Sequence, residues 1–324
     1  MVLAIAAERT GGPEVLRVRD LPLPEPGAGE ALVRHRAIGV NFIDTYFRNG
    51  LYPWPVERDL VLGSEAAGVI EALGPGVDDL EVGQRVAYTI PNGAYAEARV
   101  LEARHLVPLP DAISDEVAAA AMLKGLTARY LLHDTHPVQK GDTVLFHAAA
   151  GGVGLIAGQW LASMGVQAIG TAGGPEKCAL ARAHGYAHVI DYRSEDFVAR
   201  VREITGARGV SATYDSVGRD TYPGSLEVLQ TFGHFISFGQ SSGPASGFSL
   251  ADLARGSLSA TRPVLFHYTD NRAWLLKAAD DLFAMIGSGK IRIAINQRFP
   301  LADAAEAHRA LEARKTTGST VLIP

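Results

Sequence analysis

The chain has 324 residues, 47% of them hydrophobic and 20% charged, which is long enough for two buried cores because single cores stop growing well below this size. A net charge of −5 leaves no basic face for a polyanion, so nucleic acid is not expected as a main partner. Cys178 is the only cysteine, which excludes an intrachain disulfide and a thiolate zinc site and suits the reducing cytoplasm.

The run Met1–Ala7 lacks a basic n-region and passes directly into Glu8-Arg9, so it reads as a strand rather than a signal peptide. Up to about residue 124, short alternating runs such as Val33-Arg34-His35-Arg36-Ala37-Ile38 are broken by Pro and Gly, as in a compact β-rich domain with a strongly curved sheet. Two helices are expected there. One runs through Asn41–Phe47, and the other starts at Ser114, an N-cap ahead of Asp115 and Glu116.

From about residue 125, strands alternate with helices, the signature of βαβ units and a parallel sheet. Val144–Phe146 is the first expected strand, Leu155–Met164 its helix and Gln167–Gly170 the second strand. Pro175 opens the next helix and Gly185 lies beyond its end. His188–Ile190, Ala212–Tyr214 and Phe235–Phe238 are further strands, Ser194 is expected to cap a helix, and Gly239–Gly247 is a loop. The tail adds helices near Trp274–Met285 and Ala302–Leu311 and the strand Thr320–Ile323. The stretch Thr143–Pro175 holds no Asp, Glu, Lys or Arg and is long enough to cross a bilayer. Its eight glycines cut it into a buried strand, turn, helix and strand instead, so no membrane span is expected.

The segment Phe146-His147-Ala148-Ala149-Ala150-Gly151-Gly152-Val153-Gly154 sits between an expected strand and an expected helix. In that context it reads as a dinucleotide turn with Ala149, Gly151 and Gly154 at the three special positions. Gly151 and Gly152 let the backbone approach a pyrophosphate at the helix N-terminus, and Gly154 packs the helix closely on the strand. An NAD site would carry an acid at the end of the second strand, where this chain has Thr171-Ala172-Gly173-Gly174. With no carboxylate there to repel a 2′-phosphate, and Lys177 one turn into the next helix, the turn is arranged for NADPH. Tyr192, past the third strand, is placed to cover the same phosphate. The alternatives are a solvated helix lysine for Lys177 and a half-buried strand-end aromatic for Tyr192.

The passages Gly11–Leu16, Gly39–Tyr46, Lys124-Gly125-Leu126-Thr127, Ala148–Gly154, Tyr214–Thr221 and Gly318-Ser319 resemble, together and over nearly the whole chain, the ζ-crystallin-like quinone oxidoreductases of the medium-chain dehydrogenase/reductase superfamily. The resemblance implies an α/β protein with a GroES-like catalytic domain, 1–124 and 263–324, and a Rossmann doubly wound parallel-sheet domain, 125–262. It further implies an active cleft at their junction and a homodimer paired through the Rossmann sheets. It places Asn41, Tyr46, Tyr52 and Thr127 around nicotinamide and substrate, and Phe42, Tyr130, Val153, Gly173, Ser216, Phe238, Ser241, Leu265, Phe266 and Arg314 along the cofactor. Core packing is the alternative for the apolar members, barrel packing beside Pro53 for Tyr52, and a helix N-terminal hydroxyl for Thr127.

Zinc-dependent relatives carry Gly-His-Glu where this chain has Gly63-Ser64-Glu65, and a ligand cysteine near Asn41, so no metal is expected. His133 and His136 read as surface histidines. Without a Lewis acid the substrate must itself be a ready acceptor, and small quinones meet that condition. An NADPH-dependent enone or enoyl reductase and a non-catalytic, crystallin-like NADPH-binding protein are the competing readings.

Overall fold

The computed structural model describes all 324 residues, and the chain divides into two compact units. The first comprises Met1–Leu126, Phe266–Ser288 and Ile293–Pro324, and the second Thr127–Leu265 with Gly289–Arg292.

The first unit is built on the strand Glu30–Val40, in which Ala31, Val33, His35 and Ala37 are buried while Arg34 and Arg36 face outward, the two-residue period of a sheet with one covered face. It pairs antiparallel with Glu65–Leu73, Ala98–Glu102 and Ser319–Ile323. Register shifts between Leu32 and Val33 and between His35 and Ala37 bend the strand, and bulges of this kind curve a sheet toward a barrel. Where the chains cross, Gly68 is obligatory: a Cβ would stand 2.0 Å from the Arg34 carbonyl oxygen. A second, three-stranded sheet joins Val2–Ala7 to Leu16–Leu21 and Leu60–Val61. Ile5, Val33, Leu62, Ile70, Tyr88 and Leu322 belong to one shared core, on which the helix Ala304–Glu312 sets Ala304 and Ala307.

The second unit is a six-stranded parallel sheet. In chain order its strands are Thr143–Phe146, Gln167–Ala172, His188–Asp191, Val210–Asp215, Leu229–Ser237 and Ser259–Thr261, and in space they run third, second, first, fourth, fifth, sixth. This is the Rossmann order, with its reversal between the first and fourth strands. The helices Gly152–Ser163, Pro175–Ala183 and Phe197–Ile204 connect the early strands, and Leu145, Ile169, Ile190, Val201 and Val210 fill a core beneath them.

Several expectations shift. The first helix of the parallel unit starts at Gly152, three residues before Leu155, because the glycine turn itself supplies the N-cap, Gly151. Ser194 caps nothing. The Asp196 carboxylate accepts the Val198 and Ala199 N–H groups, and an ionised acceptor outcompetes a hydroxyl at a helix N-terminus, leaving the Ser194 hydroxyl to donate to the Asp191 carbonyl. Phe238 lies just past its strand. No helix is long and apolar enough to cross a membrane.

Candidate active site

In a parallel sheet all carboxyl ends emerge on one edge, and ligands bind there at the point of strand reversal. Along that edge of the second unit lie the turn Ala148–Gly154, then Gly173, Tyr192, Ser216 and Phe238, each directly after its own strand. The turn is strained at Ala148, which adopts φ +55. Ala149 N–H donates to the Thr171 carbonyl at 2.9 Å, tying the turn to the neighbouring strand. A Cβ on Gly154 would meet the Ala148 carbonyl oxygen at 2.4 Å, so only glycine lets the helix sit this close. The first intrahelical bond is donated by Leu155, which leaves the amides of Gly152, Val153 and Gly154 without intrahelical acceptors, the arrangement that receives a phosphate.

The turn after the second strand has the shape expected for a phosphorylated ribose. Gly173 is buried, and a Cβ there would lie 2.5 Å from the Tyr192 hydroxyl and 3.2 Å from Arg193 Nε. A Cβ on Gly174 would lie 3.4 Å from Arg193 Nη1. A hydroxyl and a guanidinium therefore close over bare backbone, with Lys177 half-buried in the first turn of the following helix. The acid at the end of the third strand, Asp191, accepts the Gly174 and Arg193 N–H groups at 2.9 and 3.1 Å, and these backbone bonds hold its carboxyl below the usual range. The cradle fits a phosphate monoester, and hence NADPH.

A buried brace sits behind the turn. His147 Nδ1 meets the Thr171 hydroxyl and Nε2 meets Ser225 Oγ, both at 2.9 Å, and Ser225 donates to Asp215 Oδ2 at 2.8 Å. Asp215 also accepts the Val217 and Gly218 N–H groups and the Thr221 hydroxyl. One carboxylate thus fixes the loop carrying Ser216 and, through Ser225 and His147, the turn on the adjacent strand. Burial holds His147 below its ordinary pKa, as a neutral linker requires.

In the first unit, Asn41 opens the helix Phe42–Arg48, and its N–H donates to Asp44 Oδ2 at 2.9 Å. Tyr46 is buried on that helix, 6.4 Å from the half-buried Phe42 and 5.4 Å from Tyr52, with the Tyr46 and Tyr52 rings edge to face. Tyr52 is half-buried, packs its ring on Tyr46 and Phe47, and borders an open surface hollow of about 390 Å³ lined also by Arg9, Pro53 and Trp54.

Beneath Asn41 lies a polar core. Its carboxamide donates to Glu65 Oε1 at 2.8 Å. Asp44 accepts the Ser64 hydroxyl at 2.8 Å and the Tyr95 hydroxyl at 2.9 Å, and Tyr95 in turn lies 2.9 Å from His308 Nε2. Arg48 donates to His308 Nδ1 and to both oxygens of Glu312. Since arginine only donates, His308 is neutral with its proton on Nε2, which fixes every donor along the chain. Burial pushes Asp44 up to about 6 against the pull of its hydrogen bonds, and burial with the Arg48 charge pushes His308 down to about 3.

Thr127 and Tyr130 are buried in the second unit, near the end of the helix Asp115–Tyr130, so Thr127 is not a helix N-terminal hydroxyl. Leu265 is buried in that unit, where Ser241 is exposed; Phe266 and the exposed Arg314 belong to the first unit. His133 and His136 are half-buried rather than on the surface, one edge-on to Trp160 and the other to His234. Arg193, Asp215, Ser225, Glu65 and Lys124 are the residues that sequence reasoning assigned no role.

Fold and site together define a nucleotide-dependent oxidoreductase of the alcohol dehydrogenase type. Residues 27–111 match the alcohol dehydrogenase GroES-like domain family and residues 184–322 the zinc-binding dehydrogenase family. The chain is 54% identical to a quinone oxidoreductase of Pseudomonas aeruginosa over 97% of both chains, and 44% identical to a 2-haloacrylate reductase of Burkholderia over 100% of this chain and 99% of the other. The crystal structure of Escherichia coli quinone oxidoreductase complexed with NADPH superposes with a TM-score of 0.97 at 46% identity, covering 99% of this chain and 100% of that one. The chain belongs to the quinone oxidoreductase family of the medium-chain dehydrogenases and reductases.

Zinc does not fit. No three His, Cys, Asp or Glu side chains are grouped to hold a metal, the Ser64 hydroxyl is spent on Asp44, and the Asn41 carboxamide on Glu65.

Proposed function

We propose that this chain is a zinc-independent NADPH:quinone oxidoreductase. The observation that carries the reading is the turn at Gly173-Gly174, which has no acid at the end of its own strand and is closed over by Tyr192 and Arg193, with Lys177 half-buried on the helix that follows. Two donors over bare backbone, the Tyr192 hydroxyl and the Arg193 guanidinium, favour a 2′-phosphate over a ribose hydroxyl. Bound there, NADPH supplies the hydride.

The remaining assignments belong to the same reading. Ala149, Gly151, Gly152, Val153 and Gly154 take the pyrophosphate, and Phe42, Tyr130, Gly173, Ser216, Phe238, Ser241, Leu265, Phe266 and Arg314 flank the cofactor. Asn41, Tyr46, Tyr52 and Thr127 face the acceptor, where an amide, phenol or hydroxyl donates to the oxygen that gains charge. A quinone needs no Lewis acid to accept a hydride, which matches the donor set. Residues 1–124 with 263–324 form the catalytic domain, 125–262 the nucleotide domain, and the protein works as a cytoplasmic homodimer.

The test is the initial rate of NADPH oxidation across benzoquinone, naphthoquinone, phenanthrenequinone and an enoyl thioester, with NADH as control. Quinone turnover with NADPH alone supports the proposal. A second reading, reduction of an electron-poor alkene, is favoured by the 2-haloacrylate reductase relative, and turnover of 2-chloroacrylate without quinone turnover would select it. NADPH binding with no turnover at all would select a non-catalytic role.

A further inference from the structure

The helix Asp115–Tyr130 carries a buried cation that the reading above leaves without a role. Lys124 Nζ lies 2.5 Å from Glu65 Oε1, the same oxygen that accepts the Asn41 carboxamide, while Glu65 Oε2 accepts the Leu123 N–H at 2.6 Å. The Glu65 side chain has no exposure and that of Lys124 only 7%. The packing leaves no slack, because a Cβ on Gly39 would fall 2.2 Å from Glu65 Oε1. Burying a charge this deep is costly without an opposite charge beside it. Asp44, one turn along the Asn41 helix, is a second buried carboxylate within the field of the Lys124 ammonium, and its own contacts are the Ser64 and Tyr95 hydroxyls and the Asn41 N–H. The remaining cation, Arg48, is engaged with Glu312 and His308.

We propose that Lys124 is a positioning residue for the reduction: by neutralising Glu65 it keeps the Asn41 carboxamide oriented and lets an oxyanion form beside it. The inference rests on the quinone reductase reading. One Asn41 N–H is committed to Glu65, and the carboxamide keeps a second to offer the acceptor oxygen. Remove the ammonium and a buried negative charge stands one hydrogen bond behind that donor, opposing any charge that develops on the quinone.

The proposal predicts effects of opposite sign at the two partners, whereas a purely structural ion pair predicts losses at both. Lys124→Met should lower kcat roughly tenfold or more, Glu65→Gln should raise it or spare it, and the double variant should return it toward wild type. A second readout is binding of 4-nitrophenolate, an anionic phenol probe, relative to neutral 4-nitroanisole: the preference for the anion should fall in Lys124→Met, rise in Glu65→Gln and recover in the double variant. Should Lys124→Met fail to fold, Glu65→Gln against the double variant carries the comparison, since neither retains a buried unpaired anion. Parallel losses of kcat at both sites, or an anion preference equal across the folded variants, overturn the proposal. A wild type that reduces no quinone sinks the functional reading instead, and the probe ratio still decides the charge pair.

Discussion

The Tyr95 hydroxyl lies 2.9 Å from Asp44 Oδ2 in a core where neither side chain meets solvent. Because His308 Nε2 donates into the same hydroxyl, Tyr95 passes the order of a C-terminal helix to the helix that begins at Asn41. Tyr95→Phe deletes the middle link and strands a donor and an acceptor in low dielectric. The expected loss is about 2–3 kcal/mol of stability, read as a lower urea midpoint at unchanged m. A midpoint equal to wild type would show that the network carries no stability.

His308 of this network and a second buried histidine, His35, held between the Tyr88 hydroxyl and the Ala96 carbonyl, set a pH dependence. His308, pushed to about 3, and His35, pushed by burial to about 4, stay neutral in the folded protein, whereas unfolded histidines take up protons below about 6.5. Their stabilisation is present at neutral pH and lost as pH falls through that interval. Asp44 acts oppositely: raised to about 6, it protonates earlier when folded and returns stability as pH falls. These two histidines outweigh that one carboxyl, the three together giving a net loss of about 3 kcal/mol by pH 4.5, and His147, also held low by burial, adds to the fall. Thermal melts from pH 7 to 4.5 should track this fall, and His308→Gln should lose about 2–3 kcal/mol less across it.

Selectivity between cofactors should reside in the turn after the second strand. Lys177→Ala and Arg193→Ala are each expected to weaken NADPH binding about tenfold while leaving NADH binding unchanged. Fluorescence titration with both cofactors checks this, and equal losses for the two would remove these residues from the phosphate site.

The brace behind the phosphate turn predicts the contrary pattern. Ser225→Ala disconnects His147 from Asp215, which shifts the turn common to both cofactors. NADPH and NADH affinities should fall together, with a stability loss of about 1–3 kcal/mol. A loss confined to NADPH would contradict the brace.

What the sequence shows and hides follows from range. The turn Ala148–Gly154 is legible because a strand, its glycines and a helix are contiguous, and Gly151 and Gly154 answer contacts made within a few residues. Arg193 was hidden although Tyr192 beside it was not, since nothing local says that the chain folds an arginine back over Gly174. Lys124, Glu65 and Asn41, or Tyr95 and His308, meet only through pairings far apart in the chain, and no spacing rule reports a donor awaiting its acceptor. The mistaken cap at Ser194 is a contest between neighbours of similar propensity, decided by which one the turn aims at the helix.

The strand Ser319–Ile323 lies between Ile295–Pro300 and Glu30–Val40, with Thr320 opposite Val40. During translation, the entire parallel sheet can therefore emerge and close while the Ile38–Val40 end of the strand, beyond the stretch paired with Ala98–Glu102, still waits for a partner not yet made. An unpaired central strand is the kind of surface that captures other chains. The vulnerable period of this protein's life is thus set by the order of synthesis: nascent chains halted before Ser319 should show a protease-resistant nucleotide half and a digestible remainder.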